Sequence, residues 1–325
     1  MKSTIVVLHI LLIISCRTNS KLLNYKAKEK NLITAVKKKN IKKIKFLISK
    51  DINIDFQDKN GCTALMRAAW SGNKAIISIL LNANADVNVQ DKNGYTALMY
   101  AVLIKNRRDI IKALITRGAN VNVRDKNGNT SLIKAARHSK EYTEMLLAAG
   151  SNVNARNKDG NTALLESTHN KSIVETVIIA GANIDAQDKY GNTALMKSTC
   201  DNIAKVLMRT GANVNVKNNI DRSALMKAAF LGLHERVTSL LYFGADVNTQ
   251  DKYGNTALVR ALENPIPSEK IVKSLIYAGA DINIKNKADH TAITIASTYG
   301  FYNIVKILRD PKNKAITMDR VSPKN

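Results

Sequence analysis

Residues 91–99 read "DKNGYTALM", and the chain writes nearly the same nine residues at 58–66 ("DKNGCTALM"), 125–133 ("DKNGNTSLI"), 188–196 ("DKYGNTALM") and 251–259 ("DKYGNTALV"). Anchoring each copy on its opening Asp or Asn gives units starting at Asp58, Asp91, Asp125, Asn157, Asp188, Asn218, Asp251 and Asn286. Their spacings are 33, 34, 32, 31, 30, 33 and 35 residues. A period near 33 held through eight units is the signature of a repeat solenoid, in which each unit buries its apolar face against its neighbours.

Each unit carries the same local signals. Gly94 stands where a tight turn needs positive φ, which glycine adopts without a Cβ clash. Thr96 follows just before an apolar run, placed to accept from a free N–H of a first helical turn. In the first unit Leu65, Ala68 and Ala69 fall at i, i+3 and i+4, so they share one helix face. A second helix follows, as in "DIIKALI" at 109–115, and ends at a glycine such as Gly118, placed as a left-handed C-terminal cap. "ANVNVR" or "ADINIK" then crosses to the next copy as a short extended finger.

The pattern D-x-x-G-x-T-A-L, a helix pair, then G-A-D-V-N resembles the ankyrin repeat over roughly residues 30–310. The resemblance implies an all-α repeat solenoid: an ankyrin-type stack of helix pairs with short β-hairpin-like fingers. In that family the fingers and first helices line a concave binding surface. Two departures stand out. The family's T-P-L-H has Ala or Ser for Pro, and residues such as Met66, Met99, Met196 and Met226 for His, so apolar packing is expected to replace hydrogen bonds between repeats. The units starting at 125, 157 and 188 also lose one to three residues near the inter-helix turn, and faster amide exchange is expected over 125–217.

Both ends read as caps. Residues 30–57 form an N-terminal capping repeat with Leu32, Val36, Ile44 and Leu47 apolar and lysines on the outward side, and the repeats proper run over 58–310. Residues 311–325 are a basic tail. Ahead of the cap, "MKSTIVVLHILLIISC" (1–16) has one early Lys and an apolar run from Ile5 to Ile14, too short for the ~20 residues that span a bilayer. Such a segment reads as an export signal over 1–15. Its ending resembles the lipobox of bacterial lipoproteins, with an Ile where Leu is usual, which implies lipidation at Cys16 and a lipid-anchor linker over 16–29. A plain signal peptide with an incidental Cys, giving a secreted soluble protein, is the alternative.

Catalytic and metal patterns find little support. His138, His169, His234 and His290 lie in different units and never pair at ligand spacing. There is no phosphate-cradling Gly loop, nucleophile elbow or metalloprotease helix motif. The reading is no enzyme, no cofactor and no metal. Function is expected on the exposed surface, where the residue two after the core Leu should point away from the core, since two helical steps are 200°. Those positions include Arg67, Tyr100, Lys134, Lys197, Lys227 and Arg260. Three residues further on come Trp70, Arg137 and Phe230, and Trp and Arg are favoured binding anchors.

Lys+Arg exceed Asp+Glu by 24 in 325 residues, with a pI near 9.9, which favours anionic partners and says nothing about fold. The expected function is therefore a non-catalytic protein–protein interaction module: an exported, lipid-anchored monomer, periplasmic or at the cell surface, holding an acidic protein partner on its concave face. The alternative is a polyanion or anionic-membrane-surface binder acting through a diffuse Lys-rich surface. Nucleic acid ranks third, because export removes the chain from it.

Overall fold

The computed structural model describes Glu29 and residues 31–310. Cys16, the 1–15 segment, the 16–28 stretch of the linker and the 311–325 tail lie outside those residues. The chain divides into two compact units, one up to Asn157 and one from Lys158, and the division falls at the start of a repeat.

The first unit opens with the capping pair, α1 (31–37) and α2 (Ile41–Ile48), with Leu32, Val36, Ile44 and Leu47 buried between helices. Three repeats follow: α3 (Ala64–Ser71) with α4 (Lys74–Asn82), α5 (Ala97–Val102) with α6 (Arg108–Thr116), and α7 (Ser131–Ala135) with α8 (Lys140–Ala148). The second unit holds α9 (Ala163–Glu166) with α10 (Lys171–Ile179), α11 (Ala194–Lys197) with α12 (Asp201–Arg209), and α13 (Ala224–Phe230) with α14 (His234–Tyr242). It closes with α15 (Ala257–Leu262) and α16 (Glu269–Tyr277), then α17 (Ala292–Thr298) and α18 (Tyr302–Arg309). Each unit is an all-α repeat array, and no described helix is long and apolar enough to cross a membrane.

The threonines cap the first helices as the sequence implies. Thr96 Oγ1 accepts from Met99 N at 3.3 Å, and Thr63, Thr130, Thr162, Thr193 and Thr256 repeat the bond. Met66, Met99, Met196 and Met226 are buried, filling the place of the family's histidine with flexible apolar side chains. The missing residues of the 125, 157 and 188 units come out of the first helix: α7 has five residues and α9 and α11 four, against eight in α3. Two side chains at a core position of the second helix bond the inter-helix turn of the preceding repeat. Tyr142, where most second helices carry Ile, accepts from Arg107 N at 2.7 Å and donates to Ile104 O. Arg236, at the same place in α14, donates to Ser198 O at 2.8 Å and pairs with Asp201 at 2.9 Å.

The fingers contain no strand among the described residues. Asp91 Oδ1 accepts from the N–H of Asn93 and of Tyr95, at 2.8 and 2.9 Å, so a side chain takes the donors a hairpin would pair across strands. Neighbouring turns share one backbone bond per repeat, such as Lys92 N to Asn60 O in the first unit and Lys252 N to Ile220 O in the second, both 3.0 Å. Side-chain rails supply the rest. The Gln90 amide bridges Gly94 O and Arg124 O at 2.8 and 3.0 Å, while Asn88 accepts from Asn120 N and donates to Gly118 O. Gln250 and Asn248 do the same in the second unit.

Candidate functional site

In the first unit three of the sequence candidates, Arg67, Trp70 and Tyr100, gather around one depression. Trp70, at the end of α3, is 51% exposed and meets Tyr100 of α5 edge-on, with ring centroids 5.8 Å apart. Together with Cys62, Met66 and Arg67 they line a shallow hollow of about 290 Å³. Arg107 closes one side: its guanidinium lies where a Cβ on Gly72 would stand and donates to Trp70 O at 3.5 Å. Tyr100 packs in turn on Tyr95, centroids 5.3 Å apart. Its hydroxyl donates to Asp91 at 2.6 Å, and burial and that carboxylate hold it protonated, well above the usual phenol range. Burial likewise pushes up the Cys62 thiol, so it sits here as a small neutral group rather than a nucleophile.

The cations two places after the core Leu do not form an open basic stripe. Arg67 Nη2 lies 2.7 Å from Asp58, nine residues earlier. Burial would raise the Asp58 carboxyl, but Arg67 and the N–H groups of Asn60 and Cys62 outweigh it and hold the carboxyl below its ordinary value. Lys134 is a correction: only 4% of its side chain is exposed, with Nζ 2.6 Å from Asp125, 2.8 Å from Tyr95 Oη and 4.0 Å above the Tyr95 ring. Arg137, in the turn after α7, is exposed.

The second unit repeats the lesson. Arg260, also expected on the surface, has 8% of its side chain exposed; Nε donates to Asp251 at 2.9 Å and Nη1 to Glu263. Lys197 lies 3.5 Å from Asp188 and donates to Asn161 at 3.0 Å. Lys227 has an exposed stem, but its ammonium turns inward to Met196 O at 2.7 Å. Burial of that end, with Arg236 and Lys197 near it, lowers its pKa. Phe230, 42% exposed, stands beside Met226, Lys227 and Arg260 around a hollow of about 260 Å³.

The cause is a pairing that a helical wheel does not show. The finger folds back over the start of its own first helix, so its anchor residue meets the side chain nine positions on. Where the anchor is Asp, the partner is a donor: Arg67, Tyr100, Lys134, Lys197 or Arg260. Where it is Asn, the place holds Glu166, Lys227 or Ile295. That alternation was available in the sequence. Tyr95 and Arg107 were missed for another reason, since each belongs to a turn rather than to a periodic helix face.

Among the described residues, no three His, Cys, Asp or Glu side chains gather in a way that could hold a metal ion. Comparison with curated proteins finds no match. A family model described as ankyrin repeats (3 copies) matches in seven overlapping windows: 6–91, 32–125, 83–157, 139–218, 164–251, 195–286 and 225–320. Ankyrin repeats are in general non-catalytic modules for protein–protein interaction. With period, cap, turn and family match agreeing along the chain, this protein belongs to the ankyrin-repeat family.

Proposed function

We propose that the chain is a non-catalytic interaction module, exported and tethered through a lipid on Cys16, whose first-helix face holds an acidic protein partner. One observation carries the binding half of this reading. Trp70, the only tryptophan in the chain, stands half-exposed on Tyr100 beside a hollow lined by Arg67, with the Arg107 guanidinium against the Trp70 carbonyl. A rigid aromatic with nearby guanidinium groups is the composition of a binding anchor. The acidic partner follows from the net charge of +24, which steers association from a distance, while desolvated anchors set the lifetime of the complex. The tether rests on the "IISC" ending alone. Affinity capture from a membrane fraction identifies the partner. Trp70→Ala should then speed its dissociation roughly 30-fold, corresponding to about 2 kcal/mol, while Arg137→Glu chiefly slows association. An unchanged dissociation rate in a folded Trp70→Ala protein refutes the anchor.

A further inference from the structure

The charge is concentrated. Residues 1–50 carry thirteen Lys and Arg and a single acidic residue, Glu29, a formal +12 out of +24. Within the described part of that stretch the charge lies on the capping pair. Lys37, Lys38 and Lys39 end α1 and form the turn, Lys42, Lys43 and Lys45 stand on α2, and all six are exposed. None of them forms an ion pair among the described residues, in contrast to the finger-paired cations of the repeats. Two lysines occupy the first turn of α2, with no acidic residue there, although that end of a helix disfavours cations. The fold gains nothing from this placement.

The same surface exposes apolar side chains. Phe46 points outward at 60% exposure and Lys50 lies over its ring, 5.2 Å from the centroid; Ile41 is 37% exposed. The core face of α2 is already satisfied by Ile44 and Leu47, so Phe46 is not a core residue displaced. A helix that surrounds an outward aromatic with lysines fits the boundary between lipid headgroups and acyl chains, where apolar insertion and electrostatic attraction add.

We infer that the capping helix pair is a docking surface for an anionic lipid bilayer, with Lys42, Lys43 and Lys45 on the headgroups and Phe46 inserted between them. This surface differs from the first-helix face around Trp70 and does not depend on the lipid at Cys16. An acidic protein or a nucleic acid would meet the lysines equally well. Phe46 and Ile41 favour lipid.

The test uses the full-length chain with Cys16→Ser, which removes the proposed anchor and leaves the cap. Its partitioning is measured by co-sedimentation with phosphatidylcholine vesicles containing one quarter phosphatidylglycerol, and with pure phosphatidylcholine as baseline. Each lysine near such a surface contributes about fivefold, so Lys42→Gln with Lys43→Gln and Lys45→Gln should lower anionic-vesicle partitioning about 100-fold and leave the baseline unchanged. Phe46→Ser should lower it by about tenfold or more. The control triple Lys59→Gln, Lys92→Gln and Lys126→Gln removes the same charge from exposed finger tips and should change it less than about threefold. The proposal is overturned if the control triple loses as much as the cap triple, or if the cap triple binds unchanged. It is also overturned if duplex DNA binds more tightly than the vesicles and Phe46→Ser affects neither. Failure to find acylated Cys16 leaves these outcomes untouched, so the two ideas fail separately.

Discussion

Replacing Lys134 by methionine tests the finger pairing where it is most buried. Asp125 and Lys134 have side-chain exposures of 1% and 4%, and the carboxylate also accepts from the N–H of Asn127 and Asn129. Lys134→Met strands that carboxylate away from water and should cost about 3–5 kcal/mol. Asp125→Asn keeps the turn, because an Asn Oδ1 accepts the same two N–H groups at Asn218 and Asn286, but it strands the ammonium. The double variant should lie within about 1 kcal/mol of wild type, since apolar replacement of a buried pair is often neutral. The chain already contains that solution in Asn286 with the buried Ile295. The singles and the double then give a coupling of at least about 2 kcal/mol. Trp70 is the only tryptophan and lies in the same unit, so its fluorescence in urea follows local unfolding.

The pH dependence adds a second readout. Burial would raise the Asp125 carboxyl, but Lys134 and the Asn129 N–H and amide outweigh it and hold it below its ordinary value. A carboxyl depressed in the folded state contributes fully above its unfolded pKa, about 3.9, and its contribution fades as pH falls through the folded value. Without Lys134, burial dominates and the folded value rises above the unfolded one. Protonation then relieves the variant, so its deficit against wild type should narrow between pH 7 and pH 4. A deficit below about 1 kcal/mol at pH 7, or one that does not narrow on acidification, would refute the pairing as an energetic feature.

Gly94→Ala and Gly118→Ala share nearly the same φ, +79° and +82°, but a Cβ at 94 would meet Asp125 Cα at 2.9 Å while one at 118 meets nothing within 4 Å. Urea titration should show about 1–2 kcal/mol lost at 118, the left-handed cost alone, and clearly more at 94. Amides of the four-residue helices α9 and α11 should exchange faster than those of α3 and α5, and equal protection would contradict a weakened middle. Intact mass of the mature N-terminus should show a diacylglycerol adduct on Cys16; a free thiol or cleavage elsewhere would rule out the lipid anchor.

The fold was legible where a residue's role depends only on its neighbours in sequence. Thr96 before an apolar run is a cap whatever surrounds it, and the three shortened units were visible by length, although the residues are lost from α7, α9 and α11 rather than from the inter-helix turn. The finger contacts were not legible, because Asn88 and Asn122 turn their side chains to the next repeat's backbone. Lys134 and Arg260 misled for a related reason. A helical wheel sees only its own helix, and the preceding turn that covers position nine lies outside it.

Those burials change what the net charge means. With +12 on residues 1–50 and +3 on the 311–325 tail, the 260 residues between them carry only +9, and several of their cations already face a carboxylate. The first-helix face around Trp70 is therefore an aromatic surface with moderate charge, while seven of the thirteen cations of residues 1–50 lie on the described helices and turns of the cap. The two surfaces should answer differently to salt. Between 50 and 200 mM the Debye length shrinks from about 14 to about 7 Å. Exposed lysines on the cap should lose most of their hold on an anionic surface over that range, whereas a partner seated on Trp70 should keep its dissociation rate and lose only part of its association rate. A dissociation rate at Trp70 that rises steeply with salt would mean that charge, not the aromatic anchor, holds the partner.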